Sequence, residues 1–190
     1  EREPARFRLE EGDALAVGRA CDEWGYFWYE DPFRDSGVSA FAHRKLREMI
    51  RTPLLQTEHV RGVEPEADFI LAGGTDFVRA DPEYDMGITG CMKIAHLAEA
   101  FGLDCEVHAS GPAHRHCMAA MRNTNFYEVA LVGPDCPNAM PPVYACGYSD
   151  ALEAVGRDGC FPVPTGPGLG VTYDWDYIAK NRTNVHRFKL

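Results

Sequence analysis

The chain has 190 residues, 45% hydrophobic and 25% charged, which is the composition of a globular protein long enough for one sizeable core. A formal net charge of -10 and a pI near 5.1 exclude nucleic acid and anionic membrane surfaces as natural partners, because both are recognised through clustered Lys and Arg. No apolar run approaches the roughly 18 residues of a membrane span, the first residues lack an apolar signal core, and the seven Cys include no CxxC pair, so a cytoplasmic protein with reduced, packed thiols is expected.

The predicted elements alternate. Residues 13–24 carry Ala14, Val17, Cys21 and Trp24 at helical spacing, with Gly25 as a stop. A short aromatic strand over 26–29 follows, ended at Glu30-Asp31-Pro32. Next come a helix over 43–50, a strand over 54–57, and a helix opened at Pro65 and closed at Gly73. Strand 77–80 leads into helix 89–101, strand 103–107 into helix 113–122, and a fifth strand is expected over 127–131. Short, nearly all-apolar strands alternating with helices define an α/β fold with a parallel sheet covered by helices. Beyond Gly133 the chain is rich in Pro and Gly without comparable periodicity, so 1–133 reads as a partial (β/α) barrel. Segment 134–190 reads as an irregular tail packing on that barrel or on a capping domain.

Ionisable residues close every predicted strand: Glu30, Glu58, Asp81 and His108 after the first four, and Glu128 within the fifth. In parallel barrels those ends form one rim, where active sites are built. Any one of them could be a helix cap or a solvated loop residue, and His108 alone could be a core histidine. Glu128 lies inside the apolar run 126–131, where a charge is costly unless it is paired or serves a purpose. His114 and His116 are two apart on a helix and diverge by about 200°, which favours a substrate contact or a solvated face over a metal. The glycines of 166–170 lack the strand-loop-helix setting of a dinucleotide loop.

Several segments resemble the mandelate racemase/muconate lactonizing enzyme family of the enolase superfamily. Trp28-Tyr29-Glu30-Asp31-Pro32 is similar to its W-x-E-x-P motif, and residues 81–89 resemble D-x4-G-G-[IV]-[ST], with Met86 in place of the first Gly. Residues 94–102 match the I-A-x-L-A-E-A-x-G helix, and Glu58, Asp81, His108 and Glu128 fall 23, 27 and 20 residues apart, as in the mandelate racemase branch.

The resemblance implies a magnesium enzyme that abstracts the proton α to a carboxylate. Glu30 and Glu58 would be metal ligands and His108 the base, oriented by Asp81. Glu128 would be the acid, with His59 and His114 at the substrate. It also implies the C-terminal part of a TIM-like barrel, a small carboxylate substrate and a homo-oligomer. Dehydration of an acid sugar is the leading expectation, racemisation of a 2-hydroxy acid of mandelate type the alternative, and a non-catalytic assembly module the reading from another class. The family's first metal ligand, an Asp, would fall on Pro4, and its upstream basic residue has no counterpart, so an N-terminal part of the enzyme is expected to lie outside this chain.

Overall fold

The computed structural model describes residues 6–34, 37–130 and 143–188, with side chains from Asp13 onward. Four parallel strands stand in chain order, β1 (Tyr29–Glu30), β2 (Leu54–Gln56), β3 (Phe77–Ala80) and β4 (Asp104–Val107). Tyr29 pairs with Leu54, Leu55 with Phe77, and Phe77 to Ala80 with Asp104 to Val107. Parallel neighbours require a crossover, and each is a helix: α1 (Arg6–Trp24) precedes β1, then α2 (Ala40–Arg47), α3 (Val63–Leu71) and α4 (Gly87–Ala100) join the strands. α5 (Pro112–Ala120) follows β4, and α6 (Trp175–Asn181) closes the tail. No described helix is long and apolar enough to cross a membrane.

Local chemistry sets the helix ends. Ser39 caps α2 by accepting from the Ala42 amide at 3.3 Å, and Arg44, Lys45 and Arg47 sit in its last turn, where the helix dipole favours cations. Pro112 opens α5, where its missing N–H costs nothing. The main core lies between the sheet and α4 with α5: Val78, Ala80, Cys105 and Val107 meet Cys91, Ile94, Ala95, Ala98 and Cys117. Cys21, Cys91, Cys105 and Cys117 are buried free thiols, whereas Cys146 and Cys160 are exposed; Cys136 lies outside the described residues.

Two expectations about strands differ from the fold. The first strand is shifted, because the rings of Phe27 and Trp28 pack together at 5.2 Å and against Phe77 and Phe126 at the N-terminal edge of the sheet, leaving Glu30 as the last residue of β1. Residues 127–130 form no strand, and Leu131 lies outside the described residues. The preceding segment is held beside β4 by one backbone bond, from the Cys105 amide to Asn123 O at 2.6 Å, and by a side chain: buried Glu106 accepts from the amides of Asn125 at 3.2 Å and Phe126 at 3.1 Å and from Asn125 Nδ2 at 2.6 Å.

The described part of the tail is fastened to α5 by Arg115. Its guanidinium donates to Ser149 O, Asp150 Oδ1 and Pro162 O and lies over the rings of Tyr148 at 4.5 Å and Phe161 at 4.7 Å. Residues 134–142, the first Pro-rich stretch, lie outside the described residues.

A second buried carboxyl carries a pH dependence. Glu66 of α3 is fully buried and neither of its oxygens accepts a hydrogen bond; burial, then the Asp85 carboxylate, push its pKa up to about 10. The folded protein therefore keeps a proton that the unfolded chain loses above about pH 4.5, so stability falls as pH rises through that window. Glu66→Gln should remove this dependence and raise stability at pH 7 by about 2–3 kcal/mol. Urea melts of both proteins between pH 5 and 8 check it, and parallel curves would refute it.

Candidate active site

The C-terminal ends of the four strands converge, and the backbone beside them is strained. Asp31 (φ 44°) follows Glu30, Thr57 (φ 100°) precedes Glu58, and Ala109 (φ 64°) follows His108. Positive φ in a β-branched residue is a true outlier, and each such residue costs roughly 1–3 kcal/mol unless its surroundings enforce it. At Thr57 they do: the buried hydroxyl donates to Arg79 O at 2.9 Å and accepts the Arg79 amide at 2.9 Å, while the Thr57 amide donates to Gln56 Oε1 at 2.8 Å.

The imidazole of His108 is bonded on one side and faces an acid on the other. Its Nδ1 donates to Asp81 Oδ2 at 2.7 Å, and its Nε2 stands 3.2 Å from Glu58 Oε1. Asp81 is 1% exposed. Burial alone would lift its pKa, but the His108 bond, the nearby His114 ring and the Glu83 amide bond (2.6 Å) outweigh burial and hold it well below the usual carboxylate range. Burial would lower the pKa of His108; the Asp81 bond and the charges of Glu58 and Glu128 overcome that and raise it. An imidazole so placed is fixed in one tautomer and strengthened as a base, which is the arrangement for moving a proton at Nε2.

Arg79 organises the floor of the site. It occupies the middle of β3, is 5% exposed, and donates Nε and Nη2 to the two oxygens of Glu30 at 2.6 and 3.0 Å. Its Nη1 donates to Val107 O at 3.2 Å and stands 3.5 Å from Glu128 Oε2, which also accepts the Ala109 amide at 2.6 Å. Arg79 went unassigned in the sequence, although a charge inside the apolar run 77–80 is the same signal that singled out Glu128.

Among the described residues, the group able to hold a cation is Asp31, Glu58 and His59, whose nearest ligand atoms lie within 4.8 Å of one another. His59 Nε2 is 3.3 Å from Asp31 Oδ2 and 3.7 Å from Glu58 Oε1. Asp31 Oδ1 is buried without a partner, and Glu58 has a raised pKa, through burial first and then the Asp31 and Glu30 carboxylates. An orphaned oxygen among mutually repelling carboxylates fits a hard divalent cation such as magnesium. Glu30, expected as a ligand, accepts from Arg79 Nε and Nη2, and the adjacent Asp31 faces Glu58 and His59. Pro4, where the sequence pattern looks for a further ligand, lies outside the described residues.

Two other histidines are placed by α5. His116 Nε2 contacts Leu169 O at 3.1 Å. His114, expected at the substrate, is buried behind Asp81, with Nε2 3.6 Å from Asp81 Oδ1.

A parallel sheet whose strand ends gather an imidazole-carboxylate pair, a carboxylate cluster and a buried guanidinium has the arrangement of the strand-end face of a (β/α) barrel, where active sites are built. The chain belongs to the enolase C-terminal domain-like family, whose model matches residues 5–177. It is similar to a D-mannonate dehydratase of Sphingomonas sp. (strain SKA58), 26% identical over 179 residues, covering 90% of this chain and 41% of that protein. An N-succinylamino acid racemase of Amycolatopsis sp is 26% identical over 165 residues, covering 84% and 42%. Among solved structures, D-glucarate dehydratase from Agrobacterium tumefaciens complexed with magnesium superposes with a TM-score of 0.73 at 31% identity, covering 92% of this chain and 44% of that one. The chain thus spans less than half the length of these relatives.

Proposed function

We propose that this chain carries the catalytic strand ends of a magnesium-dependent enzyme that removes the proton α to a carboxylate, and that the overall reaction dehydrates an acid sugar to a 2-keto-3-deoxy acid. The observation that carries the reading is the 2.7 Å bond from His108 Nδ1 to Asp81, which makes Nε2, facing Glu58 Oε1 at 3.2 Å, the nitrogen that exchanges a proton. His108 Nε2 takes the α-proton, and the C–H electron pair forms the enediolate. The β-hydroxyl then leaves as water with a proton returned from His108, and the enol tautomerises to the keto acid. Asp81 holds the ring and balances its charge after protonation. Glu128, oriented by Arg79 and the Ala109 amide, is assigned the hydrogen bond to the substrate carboxyl.

Glu58 and Asp31, with His59, would hold the magnesium, and Glu30 stands close enough to raise the pKa of Glu58. When bound, the ion supplies the positive charge that makes an α-proton acidic enough to remove near neutral pH. Names of relatives support the substrate class: dehydratases of mannonate and glucarate are acid-sugar enzymes. Similarity to a named racemase keeps racemisation as the second reading, which requires another base facing His108 from outside these residues.

The test is a panel of D-mannonate, D-glucarate, galactarate, D-gluconate and L-rhamnonate with the complete enzyme, with magnesium and after chelation. Keto acid is followed as its semicarbazone and α-proton exchange by NMR in deuterated water. One panel member should release keto acid only when magnesium is present. Exchange without keto acid would favour racemisation, and neither reaction with any member, or full rates after chelation, would overturn the proposal.

A further inference from the structure

We propose that His114 is a positioning residue for the His108–Asp81 pair, fixing the Asp81 oxygen that His108 does not use; the inference rests on His108 being the base. Asp81 presents two oxygens to two histidines. Oδ2 accepts from His108 Nδ1 at 2.7 Å, and Oδ1, which already accepts the Glu83 amide at 2.6 Å, faces His114 Nε2 at 3.6 Å. Both histidines belong to the same β4–α5 unit: His108 directly follows β4, and His114 is the third residue of α5.

His114 is 1% exposed, and neither ring nitrogen has a hydrogen-bond partner at ordinary distance. Leaving a buried polar ring unsatisfied is costly, so an aliphatic side chain would fill this position more cheaply. The backbone also makes room for the ring. A Cβ on Gly111 would lie 2.8 Å from His114 Nδ1, so only glycine at 111 lets the imidazole sit against the turn that follows His108.

At 3.6 Å the Nε2 contact is longer than a hydrogen bond, and catalytic contacts of this kind tighten when substrate is bound. With Nε2–H donating to Oδ1, the Asp81 carboxylate is held from both sides and cannot rotate away from His108. The direction of His108 Nε2 then follows from the carboxylate plane. His114 is buried beside Asp81 and acts through it.

The experiment compares His114→Phe, which keeps the shape and removes both nitrogens, with His114→Gln, whose Nε2 can restore the donor. The complete enzyme is assayed on the fastest acid sugar of the panel. The expected result is a fall in kcat of about 10–100-fold for the Phe variant with KM changed less than threefold, and recovery of most of the loss in the Gln variant. Equal kcat in wild type and the Phe variant, or no difference between Phe and Gln, would overturn the inference and leave His114 as packing.

A second measurement needs neither substrate nor a fully stable variant. In ¹⁵N-histidine-labelled wild type and His114→Gln at low temperature, the His108 Nδ1–H proton should be visible and slow to exchange, and it should exchange fast in His114→Phe. An unchanged exchange rate would also overturn the inference. His108→Asn run in parallel separates the two claims: if it keeps turnover, the base assignment falls, whereas a dead His108→Asn beside a fully active His114→Phe sinks only the positioning role.

Discussion

His108→Asn in the complete enzyme should lower turnover by on the order of 10³-fold or more and abolish exchange of the α-proton on its face of the substrate, while magnesium binding by calorimetry stays within about threefold of wild type. The asparagine amide can still donate to Asp81 Oδ2, where His108 Nδ1 now donates at 2.7 Å, so the buried carboxylate keeps a partner and the melting temperature should move little. What is lost is the nitrogen on the far side of the ring. In a dehydratase that uses His108 both to take the α-proton and to return it to the leaving hydroxyl, elimination disappears altogether. A racemase would keep exchange of the enantiomer served by its other base. Near-normal turnover of the acid-sugar panel would remove His108 from the mechanism.

Arg79→Met is expected to destabilise the fold and disable the site together. Arg79 is buried with two oxygens of Glu30 and one of Glu128 around it, and the methionine would fill its stem while leaving both carboxylates without their cation. Breaking a fully buried pair costs about 3–5 kcal/mol; Glu30 and Glu128 keep some solvent contact, so a loss of about 2–3 kcal/mol in urea melts is the expectation. Adding Glu30→Gln should return part of that stability, since the double variant no longer leaves that charge unpaired. Turnover should fall at least 100-fold in the single variant, because Glu128 loses one of the two groups that orient it. An unchanged melt would mean that the pair is energetically neutral and that the organising role given to Arg79 is wrong.

Much of this was legible because two kinds of pattern agreed. The runs at 77–80 and 103–107, each followed by a helix with apolar residues three and four apart, placed Asp81 and His108 just beyond adjacent strands, and the 2.7 Å bond joins them there. The run at 127–131 had the same look, yet its described residues 127–130 form no strand, and the residues just before them give the amides of Asn125 and Phe126 to the Glu106 carboxylate. His114 was read as a substrate contact or part of a solvated face, although His114, Cys117, Met118 and Met121 make an i, i+3, i+4, i+7 stripe that points inward. Asp31 escaped notice because the motif drew attention to Glu30, and it is the positive φ of Asp31, invisible in sequence, that accompanies its turn toward His59.

The outliers at Asp31, Thr57 and Ala109 also bear on the order of events on heating. Each stores energy that only an intact sheet can withhold, and all three border the groups to which proton transfer is assigned in the proposed function. The strand ends should therefore relax before the helices behind them melt, so that inactivation precedes loss of helical signal and the enzyme's working ceiling lies below its melting temperature. Sequence changes that ease those dihedrals would raise the melting point at the expense of the alignment.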